Sequence, residues 1–504
     1  MEPVPIPVPV LGVRRDLDRE DVPPTALADA ENMIFRDGEF RVRPGFNPFA
    51  TDVGQRPLSY IQYETSGTTK IVQGTNRAWH VLTGSSWVSL AGTPLTGTER
   101  DFVVFRSFVI GATAHLIGTN GADTPKIWNG SAPTYSDLGG SPPKARCMCS
   151  IFNRVILANL LTGPNASPVA IDVSADKNPN AGWGAVEITL LADTSEEIVS
   201  MIEMGTFRAA VIKPDSIYLM VAQDSLAPFR FDLVKTEISG PPSASMAFRM
   251  SDGQVGFVGR DGMLSLFNGA SVEPAPYAVQ KYIADTMNPE KLHLGWTAYD
   301  STRRELWIIY PMVGSSEPNG GCMIAIDTFS VYPVRFRRNM EVTAGAKIKT
   351  ATGVTLGELP ALGTITQTLG ELGSNSGIRR LVIGESGGQS FQDTAKTDDG
   401  NAIPFFWETP VQGKAEKFGT VKRVRHRFKP SEGNQNVSVE LGRRNEAGEV
   451  DYWPAKTINV GSTRRKITGH RKTAEYFGFR YSGNATKDVV YQGASIYVSP
   501  RGRR

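Results

Sequence analysis

Residues 81–90 read VLTGSSWVSL, two short apolar segments joined by a turn that contains a glycine. The same plan recurs in IWNGSAPTYSDL (127–138) and LFNGASVEPA (266–275), each preceded by another strand-like run. The turn glycines of the first two stretches lie 46 residues apart, which fits the length of a four-stranded propeller blade, roughly 40–50 residues. We therefore predict a β-propeller-like domain of six or seven blades over residues 55–400. An elongated array of β-sandwiches is the alternative.

The composition is that of an all-β chain. Among 504 residues, 51 glycines and 33 prolines are spread along the sequence rather than clustered, as expected when turns separate many short strands. Hydrophobic residues make up 40% of the chain and charged residues 21%, which is typical of a folded, soluble protein. The start, MEPVPIPVPV, lacks the features of a signal peptide, and no run approaches 18 apolar residues. We expect no membrane insertion.

An extended N-terminal arm is predicted over residues 1–54. In PVPIPVPV (3–10) every second residue is proline, which excludes a helix. In NMIFRDGEFRVRPGF (32–46) the pair Asp37-Gly38 separates two alternating segments. This is the strongest short-range hairpin signal, because a type I′ turn needs positive φ at both central positions. The arm should therefore end in a hairpin.

Two short helices are expected between the strands. Thr194 and Glu197 have the spacing of a capping box before IVSMIEM (198–204). APYAVQKYIADTM (275–287) has a proline near its start, where a helix tolerates it.

After Gly400 the sequence changes in pattern and in charge. Residues 401–504 contain 20 Lys and Arg against 9 Asp and Glu, whereas residues 1–400 contain 34 against 42. Such a change in electrostatic character indicates a domain boundary. Strand-like segments that include FFWETPV, VKRVRHRFK and SIYVS predict a basic C-terminal β-sandwich over residues 401–504.

No motif in the sequence indicates catalysis or a cofactor. GESGG (384–388) matches the G-x-S-x-G nucleophile elbow, which requires a helix after the serine. Here QSFQD follows and alternates like a strand, so we interpret the match as a hairpin turn. The five histidines show no metal-ligand spacing, and Cys147, Cys149 and Cys322 are interpreted as buried free thiols. We expect no enzyme, no metal site and no cofactor.

The order of features along the chain resembles the tail hub, or nozzle, proteins of short-tailed bacteriophages. This group includes packaged-DNA stabilisation proteins and tail tubular protein B. The resemblance covers most of the chain but lies in order and pattern rather than in one motif. It is carried by the arm with DVPPTALADAENMIFRDGEFRVRPGF, by propeller-like repeats with SMIEMGTFRAAVIKPDSIYLM, GFVGRDGMLSLFNGASVEPAPYAVQKYI, LHLGWTAYDSTRRELWIIYP and AIDTFSVYPVRF, and by the terminal β-domain.

The resemblance implies a structural virion protein without catalytic activity. Such a protein forms a homohexameric ring below the portal and the adaptor, the head-to-tail connector protein. The ring continues the channel for packaged double-stranded DNA, helps to retain that DNA, lets it pass during ejection, and anchors tail fibres or spikes. Synthesis in the cytoplasm of a bacterial host and a final location in the virion tail follow from the same resemblance. In such a ring the arm could clasp the next subunit or close the first blade of its own propeller, because unpaired strand edges pair readily.

Basic residues of two C-terminal strands form a candidate electrostatic contact surface. The residues are Lys422, Arg423, Arg425, Arg427, Arg464, Arg465 and Lys466. DNA phosphates and an acidic protein surface are both suitable partners. Because each neutralised phosphate strengthens binding through counterion release, a strongly basic channel would slow the passage of DNA, and we favour protein contact.

A second functional hypothesis is a β-propeller tail protein that binds or cleaves glycans. Glycan cleavage requires two carboxylates on opposite sides of a pocket. The sequence alone does not identify which acidic residues converge.

Overall fold

Short antiparallel strands make up almost the whole fold. The computed structural model describes residues 3–99, 101–184, 189–192, 196–223, 228–337, 340–349, 379–413, 419–430, 433–445, 449–461 and 465–500. These residues form 41 strands, one α-helix and two 3-10 helices. The helix α1 (Tyr277–Thr286) lies where the sequence predicts it, and the 3-10 helices span Ala244–Met246 and Pro289–Leu294. The all-β prediction is confirmed.

Five strands come from the first fifty residues. They are β1 (Pro3–Ile6), β2 (Asp29–Glu31), β3 (Met33–Arg36), β4 (Glu39–Val42) and β5 (Gly45–Ala50). β3 and β4 form the predicted hairpin, in which Arg36 pairs with Glu39. Asp37 and Gly38 have φ values of 53° and 78°, as a type I′ turn requires.

Seven four-stranded antiparallel sheets, the blades, follow along the described part of the chain. Blade 1 contains β6 (Pro57–Thr65), β7 (Thr68–Thr75), β8 (Trp79–Thr83) and β9 (Ser86–Ser89). Blade 2 contains β10 (Val104–Ile110), β11 (Thr113–Thr119), β12 (Lys126–Trp128) and β13 (Ser136–Asp137). Blade 3 contains β14 (Ala145–Ile151), β15 (Arg154–Leu160), β16 (Ser167–Val173) and β17 (Thr189–Leu190). Blade 4 contains β18 (Ser200–Glu203), β19 (Arg208–Ile212), β20 (Ser216–Ala222) and β21 (Phe229–Thr236).

The last three blades continue in the same order. Blade 5 contains β22 (Ala247–Arg249), β23 (Val255–Val258), β24 (Leu264–Phe267) and β25 (Val272–Pro274). Blade 6 contains β26 (Trp296–Asp300), β27 (Glu305–Tyr310), β28 (Gly320–Ala325) and β29 (Ser330–Arg335). Blade 7 contains β30 (Val342–Lys349), β31 (Arg379–Glu385), β32 (Ser390–Ala395) and, from the arm, β5.

The first strands of the blades close a ring. β6 lies beside β10, and the contacts continue in order through β14, β18, β22, β26 and β30. β30 then packs against β6, so the last blade returns to the first. A closed ring of four-stranded antiparallel sheets is a β-propeller. The described residues thus form seven blades, and the ring closure excludes an elongated array.

Apolar side chains fill the space between each pair of neighbouring blades. Between blades 1 and 2, the Trp79 ring lies 5.0 Å from the Phe105 ring and 5.1 Å from the Tyr135 ring, measured between centroids. Gly118 on β11 makes room for this tryptophan, because a Cβ atom there would lie 2.4 Å from Trp79 Cζ2. A glycine inside a strand thus permits close packing between blades.

The arm completes the last blade of its own propeller. β5 pairs antiparallel with β32, with Pro48 opposite Phe391 and Asn47 opposite Gln392. The outermost strand of blade 7 therefore precedes blade 1 in the sequence. The expectation that the arm closes the first blade is wrong, because the free edge that β5 covers belongs to blade 7.

The helix expected over residues 198–204 is not formed. Ser200–Glu203 is instead β18, which pairs with β19 and is largely buried. Thr194, the expected capping residue, lies outside the described residues. Burial in the propeller therefore overrides a local helix signal.

Two sheets form a sandwich after the propeller. Its C-terminal strands are β33 (Ile403–Glu408), β34 (Gln412–Gly413), β35 (Gly419–Phe428), β36 (Asn436–Arg444), β37 (Val450–Tyr452), β38 (Lys456–Asn459), β39 (Arg465–Ala474), β40 (Tyr476–Ala485) and β41 (Val490–Pro500). One sheet has the order β3-β4-β41-β35-β39, with β1 paired to β41. The other has the order β2-β33-β40-β36-β37, with β34 on β40 and β38 on β36. The arm thus contributes strands to both sheets.

Aromatic rings occupy the centre of the sandwich. Trp407 stacks on Tyr481 with their ring centroids 4.5 Å apart. Phe40, from the arm hairpin, meets Trp407 edge-on at 5.7 Å. Arm residues therefore belong to the core of the sandwich.

A buried ion pair joins the arm, the propeller and the sandwich. Arg43 donates to both carboxylate oxygens of Asp398, at 2.9 and 2.6 Å. It also donates to Asn32 Oδ1 at 2.8 Å and to the Arg335 carbonyl oxygen at 2.9 Å. The Arg43 side chain is 0% exposed and that of Asp398 is 1% exposed. Breaking a buried pair of this kind leaves an uncompensated charge, at a cost of about 3–5 kcal/mol.

We predict that Arg43→Met lowers the free energy of unfolding by about 3–5 kcal/mol, because Asp398 stays buried without its partner. Denaturation with urea, followed by circular dichroism, measures the change. Asp398→Asn is a second variant, in which the side chain keeps its shape but leaves the buried Arg43 without a counter-charge.

Arg41→Met is the matched control, since Arg41 pairs with Asp488 at 3.1 Å on the partly exposed surface. Its effect should stay below about 1 kcal/mol. Equal effects of Arg43→Met and Arg41→Met would contradict the role assigned to the buried pair.

Candidate electrostatic contact surface

Strand β35 carries most of the predicted basic residues at the centre of a sandwich sheet. It pairs with β39 on one side and with β41 on the other. The pairing with β41 shifts register between Val421 and Arg423, so Lys422 is the extra residue of a β-bulge against that strand. In the pairing with β39 the extra residue lies on β39, between Gly469 and Lys472. The bulge explains why Val421 and Val424, three residues apart, both face the core.

After the bulge the side chains of β35 alternate. Val424, His426 and Phe428 are buried in the sandwich. Arg423 and Arg427 are exposed, and Arg425 is half-buried on the same outer face. Arg423, Arg425 and Arg427 form a line along the outside of the sheet, which we call the arginine row.

Tyr497 on β41 holds two members of the arginine row. The guanidinium carbon of Arg423 lies 4.3 Å from the centroid of the Tyr497 ring, and that of Arg425 lies 5.7 Å away. Contacts between a cation and an aromatic face contribute about 0.5–1 kcal/mol at exposed sites. The tyrosine thus orders both arginines without neutralising them.

The arginine row forms no ion pair within the described part of the chain. Other cations of the sandwich do: Lys429 binds Glu39 at 2.6 Å, and Arg444 binds Glu20. Both carboxylates belong to the arm. The arm therefore neutralises part of the basic C-terminal charge and leaves the arginine row available to a partner.

The remaining predicted residues are placed differently. Lys422 is exposed at the bulge, and Arg465 begins β39 opposite Arg427. Lys466 pairs with the buried His426, so it lies on the inner side of β39, since directly opposite residues share a face. Arg464 lies outside the described residues.

His426 does not contribute to the charge of this surface. Its Nδ1 lies 3.0 Å from the Tyr481 hydroxyl and its Nε2 lies 2.8 Å from Thr468 Oγ1. Burial, helped by the nearby His470, lowers the pKa of His426 to about 3. The ring is therefore neutral at physiological pH and acts as a hydrogen-bonded core residue.

Sequence reasoning missed Tyr497 and Ile467 as parts of this surface. Ile467 pairs with Arg425 and is 58% exposed. The alternation within SIYVS places Tyr497 on one face of its strand, but only the register with β35 shows that this face carries arginines. An exposed isoleucine beside a cation favours a partner surface that combines acidic and apolar groups.

The G-x-S-x-G match is a hairpin turn between β31 and β32, as predicted. Ser386 Oγ donates to Glu341 Oε2 at 2.8 Å. The residue lies between two strands and not before a helix, so the strained elbow that exposes a nucleophile is absent from this turn.

Cys147, Cys149 and Cys322 are buried free thiols, as predicted. Burial raises the pKa of Cys147 to about 12. Among the described residues, no group of three or more His, Cys, Asp or Glu side chains is placed to hold a metal ion. No helix in the described ranges is long and apolar enough to cross a membrane.

The first strands of the blades surround an axial cavity of about 270 Å³. Side chains from the first strand of each blade line it, and they include Tyr60, Val104, Met148, Met201 and Trp296. Phe102, Val104 and Ala244 also line an adjoining recess of about 480 Å³. The recess carries the carboxylates of Asp101 and Glu197 and is one mouth of the cavity.

We predict that Ser386 does not react with a fluorophosphonate probe, because its hydroxyl is bound to a carboxylate and its turn joins two strands. Intact-protein mass spectrometry after incubation with the probe measures this, with a known serine hydrolase as positive control. Ser386→Ala should leave the protein folded. Covalent labelling that disappears in Ser386→Ala would contradict the assignment.

We predict that Arg423→Glu combined with Arg425→Glu keeps the fold and weakens binding to polyanions. Exposed substitutions usually change stability by no more than about 0.5 kcal/mol, so the melting temperature should change little. Elution from a heparin column should occur at a clearly lower salt concentration, because two cations on the outer face of the sheet are reversed.

The control reverses Lys235 and Arg249 together, two exposed cations on blades 4 and 5. It produces the same change in net charge away from the arginine row. Equal shifts in elution for the two double variants would show that net charge alone, and not the arginine row, determines polyanion binding.

Comparison with known proteins leaves the chain without an assigned family. No protein-family model matches it, and no curated protein matches it either. Among solved structures it is similar to PorZ, a bacterial surface component of the type-IX secretion system of Porphyromonas gingivalis. The two chains are 10% identical, with a TM-score of 0.34. The match covers 75% of this chain and 44% of the PorZ chain. It is also similar to BamB from Moraxella catarrhalis, at 8% identity and a TM-score of 0.37 over 73% of this chain and 96% of that chain. The match thus spans less than half of the PorZ chain, and similarity at this level assigns no function.

Proposed function

We propose that this protein is a structural virion protein, the tail hub or nozzle of a short-tailed bacteriophage. The order of features in the sequence supports the proposal. The observation that carries it is the connection between propeller and sandwich, in which five arm strands and the buried Arg43–Asp398 pair join both units. A protein that forms part of a channel for pressurised DNA must transmit force without coming apart. A buried, fully hydrogen-bonded ion pair suits this role because it favours a single geometry of the units that it joins.

The route for DNA in this proposal lies between subunits. The axial cavity of about 270 Å³ is smaller than an ordinary ligand pocket. The major groove of DNA alone is about 12 Å wide, so a duplex does not fit along the propeller axis. A DNA channel therefore requires several copies of the chain around a common axis, as in the homohexameric ring below the portal and adaptor.

The arginine row is assigned to a contact with protein. In a hexamer the row occurs six times, and an anionic surface is needed to offset the repulsion. We assign that surface to an adjacent subunit, the adaptor or a fibre or spike protein. DNA is the less suitable partner because strong phosphate contacts would slow its passage.

We predict that the purified protein forms six-fold rings with an open centre at micromolar concentration. Negative-stain electron microscopy shows the symmetry, and mass photometry gives the number of subunits.

Reversal of Arg423 and Arg425 should prevent ring formation if the arginine row lies between subunits. It should leave rings that fail to bind the adaptor if the row faces that protein. Monomers of the wild-type protein alone and with the adaptor would contradict the proposal.

The recess at the mouth of the axial cavity supports a second candidate function, glycan binding or cleavage. Besides Asp101 and Glu197 its lining includes Asn120 and Asn159, both of which are buried. Asn159 donates to Glu197 Oε2 at 3.0 Å. Carboxylates and amides suit sugar hydroxyls. Under this alternative a monomer would bind a glycan and would lose that binding in Glu197→Gln, a result that distinguishes it from the hub.

A further inference from the structure

A groove of about 220 Å³ lies where the arm, the propeller and the sandwich meet. We call it the junction groove. Four segments that are far apart in the sequence form its walls: the arm hairpin, the turn between β26 and β27, strands β31 and β32 of blade 7, and the turn between β40 and β41. At about 30 Å³ per water molecule, its volume corresponds to about seven waters.

Cations predominate in the lining of the junction groove. The basic lining residues are Arg36, Arg41, Arg43, Arg303, Arg380, Lys396 and Lys487, and the acidic ones are Asp37, Asp393 and Asp488. Seven positive and three negative side chains around so small a volume leave an excess of positive charge. This arrangement is unfavourable unless further carboxylates or a bound anion offset the excess.

Four of these cations have carboxylate partners. Arg36 binds Glu305 through two hydrogen bonds of 2.7 and 2.6 Å, and Arg43 binds Asp398. Arg41 and Lys396 both lie near Asp488, at 3.1 and 3.2 Å. One carboxylate thus serves two cations.

Asp393 attracts Arg36 and Arg380 electrostatically, but within the described part of the chain it forms no ion pair with a cation that lines the junction groove. Its Oδ1 accepts a hydrogen bond from the Leu381 N–H at 2.8 Å. Its Oδ2 lies 3.9 Å from the buried Lys347 Nζ. Both oxygens therefore have partners on the buried side of blade 7.

Three cations of the junction groove have no ion pair in the described part of the chain. Arg303 and Arg380 are half-buried and Lys487 is exposed. Arg303 belongs to blade 6, Arg380 to blade 7 and Lys487 to the sandwich. Guanidinium groups bind phosphate oxygens through two parallel hydrogen bonds, and a lysine adds a point charge.

We propose that the junction groove binds a small phosphate compound, such as pyrophosphate or a phosphate monoester, through Arg303, Arg380 and Lys487. The junction groove, at about 220 Å³, accommodates a phosphate group with a short attachment. Because the three cations belong to different units, the bound anion connects the propeller to the sandwich. This site is separate from the arginine row and does not depend on the proposed hub function.

The test is isothermal titration calorimetry of the full-length protein with pyrophosphate, in chloride buffer at fixed ionic strength. We expect saturable binding by the wild type and a melting temperature that rises with ligand concentration. Arg303→Gln with Lys487→Gln should raise Kd at least about tenfold, because two charge-assisted contacts are lost. The same variant should keep its melting temperature in the absence of ligand, since both residues lie in turns. Arg380→Gln is a second variant with the same expected loss of affinity.

The control is Lys235→Gln with Arg249→Gln, which removes two exposed cations away from the junction groove and should bind pyrophosphate like the wild type. Absence of saturable binding of pyrophosphate and inorganic phosphate to the folded wild type would overturn the proposal. So would equal affinities of the two double variants. Binding of a duplex oligonucleotide alone, sensitive to Arg303 and Lys487, would overturn the assignment to a small phosphate compound in favour of nucleic acid.

Discussion

The buried guanidinium group of Arg43 is the constraint on which the rest of the structure depends. A charge removed from water is tolerated only when nearly every donor has a partner. Here the partners come from Asn32 in the arm, Arg335 at the end of blade 6 and Asp398 in the segment that leads to the sandwich. All three segments must therefore be in place before the charge is compensated. We therefore expect the propeller and the sandwich to unfold together.

Local features of this fold could be predicted from the sequence, because local geometry determines them. The Asp37-Gly38 turn needs two positive φ values, and α1 follows a proline that a helix tolerates at its start. The position of β5 in blade 7 could not be predicted, since its partner β32 lies several hundred residues away and no local pattern marks the pairing. The prediction of a helix over residues 198–204 was wrong for the opposite reason. A local capping pattern was present, but burial between sheets determined the structure.

The candidate site shows the same division between local and long-range information. The sequence identified the basic residues of β35 as a group, but the bulge at Lys422 determines which of them face outward. Tyr497 joins the arginine row only through the pairing of β35 with β41. Lys466 looked equivalent in sequence, yet its pairing with His426 places it on the inner side of its strand. Charge counts locate a basic region, whereas register determines which of its side chains share a face.

The completion of blade 7 by β5 has a consequence for biosynthesis. Ribosomes extend a chain at about 5–20 residues per second, so β32 emerges roughly 20–70 s after β5. During that interval β5 and the four strands before it have no native sheet to join, while the intervening blades are made. Exposed strand edges associate readily with other chains. The first fifty residues therefore reach their native pairings only when translation is nearly finished, after β32 and the sandwich strands have been made.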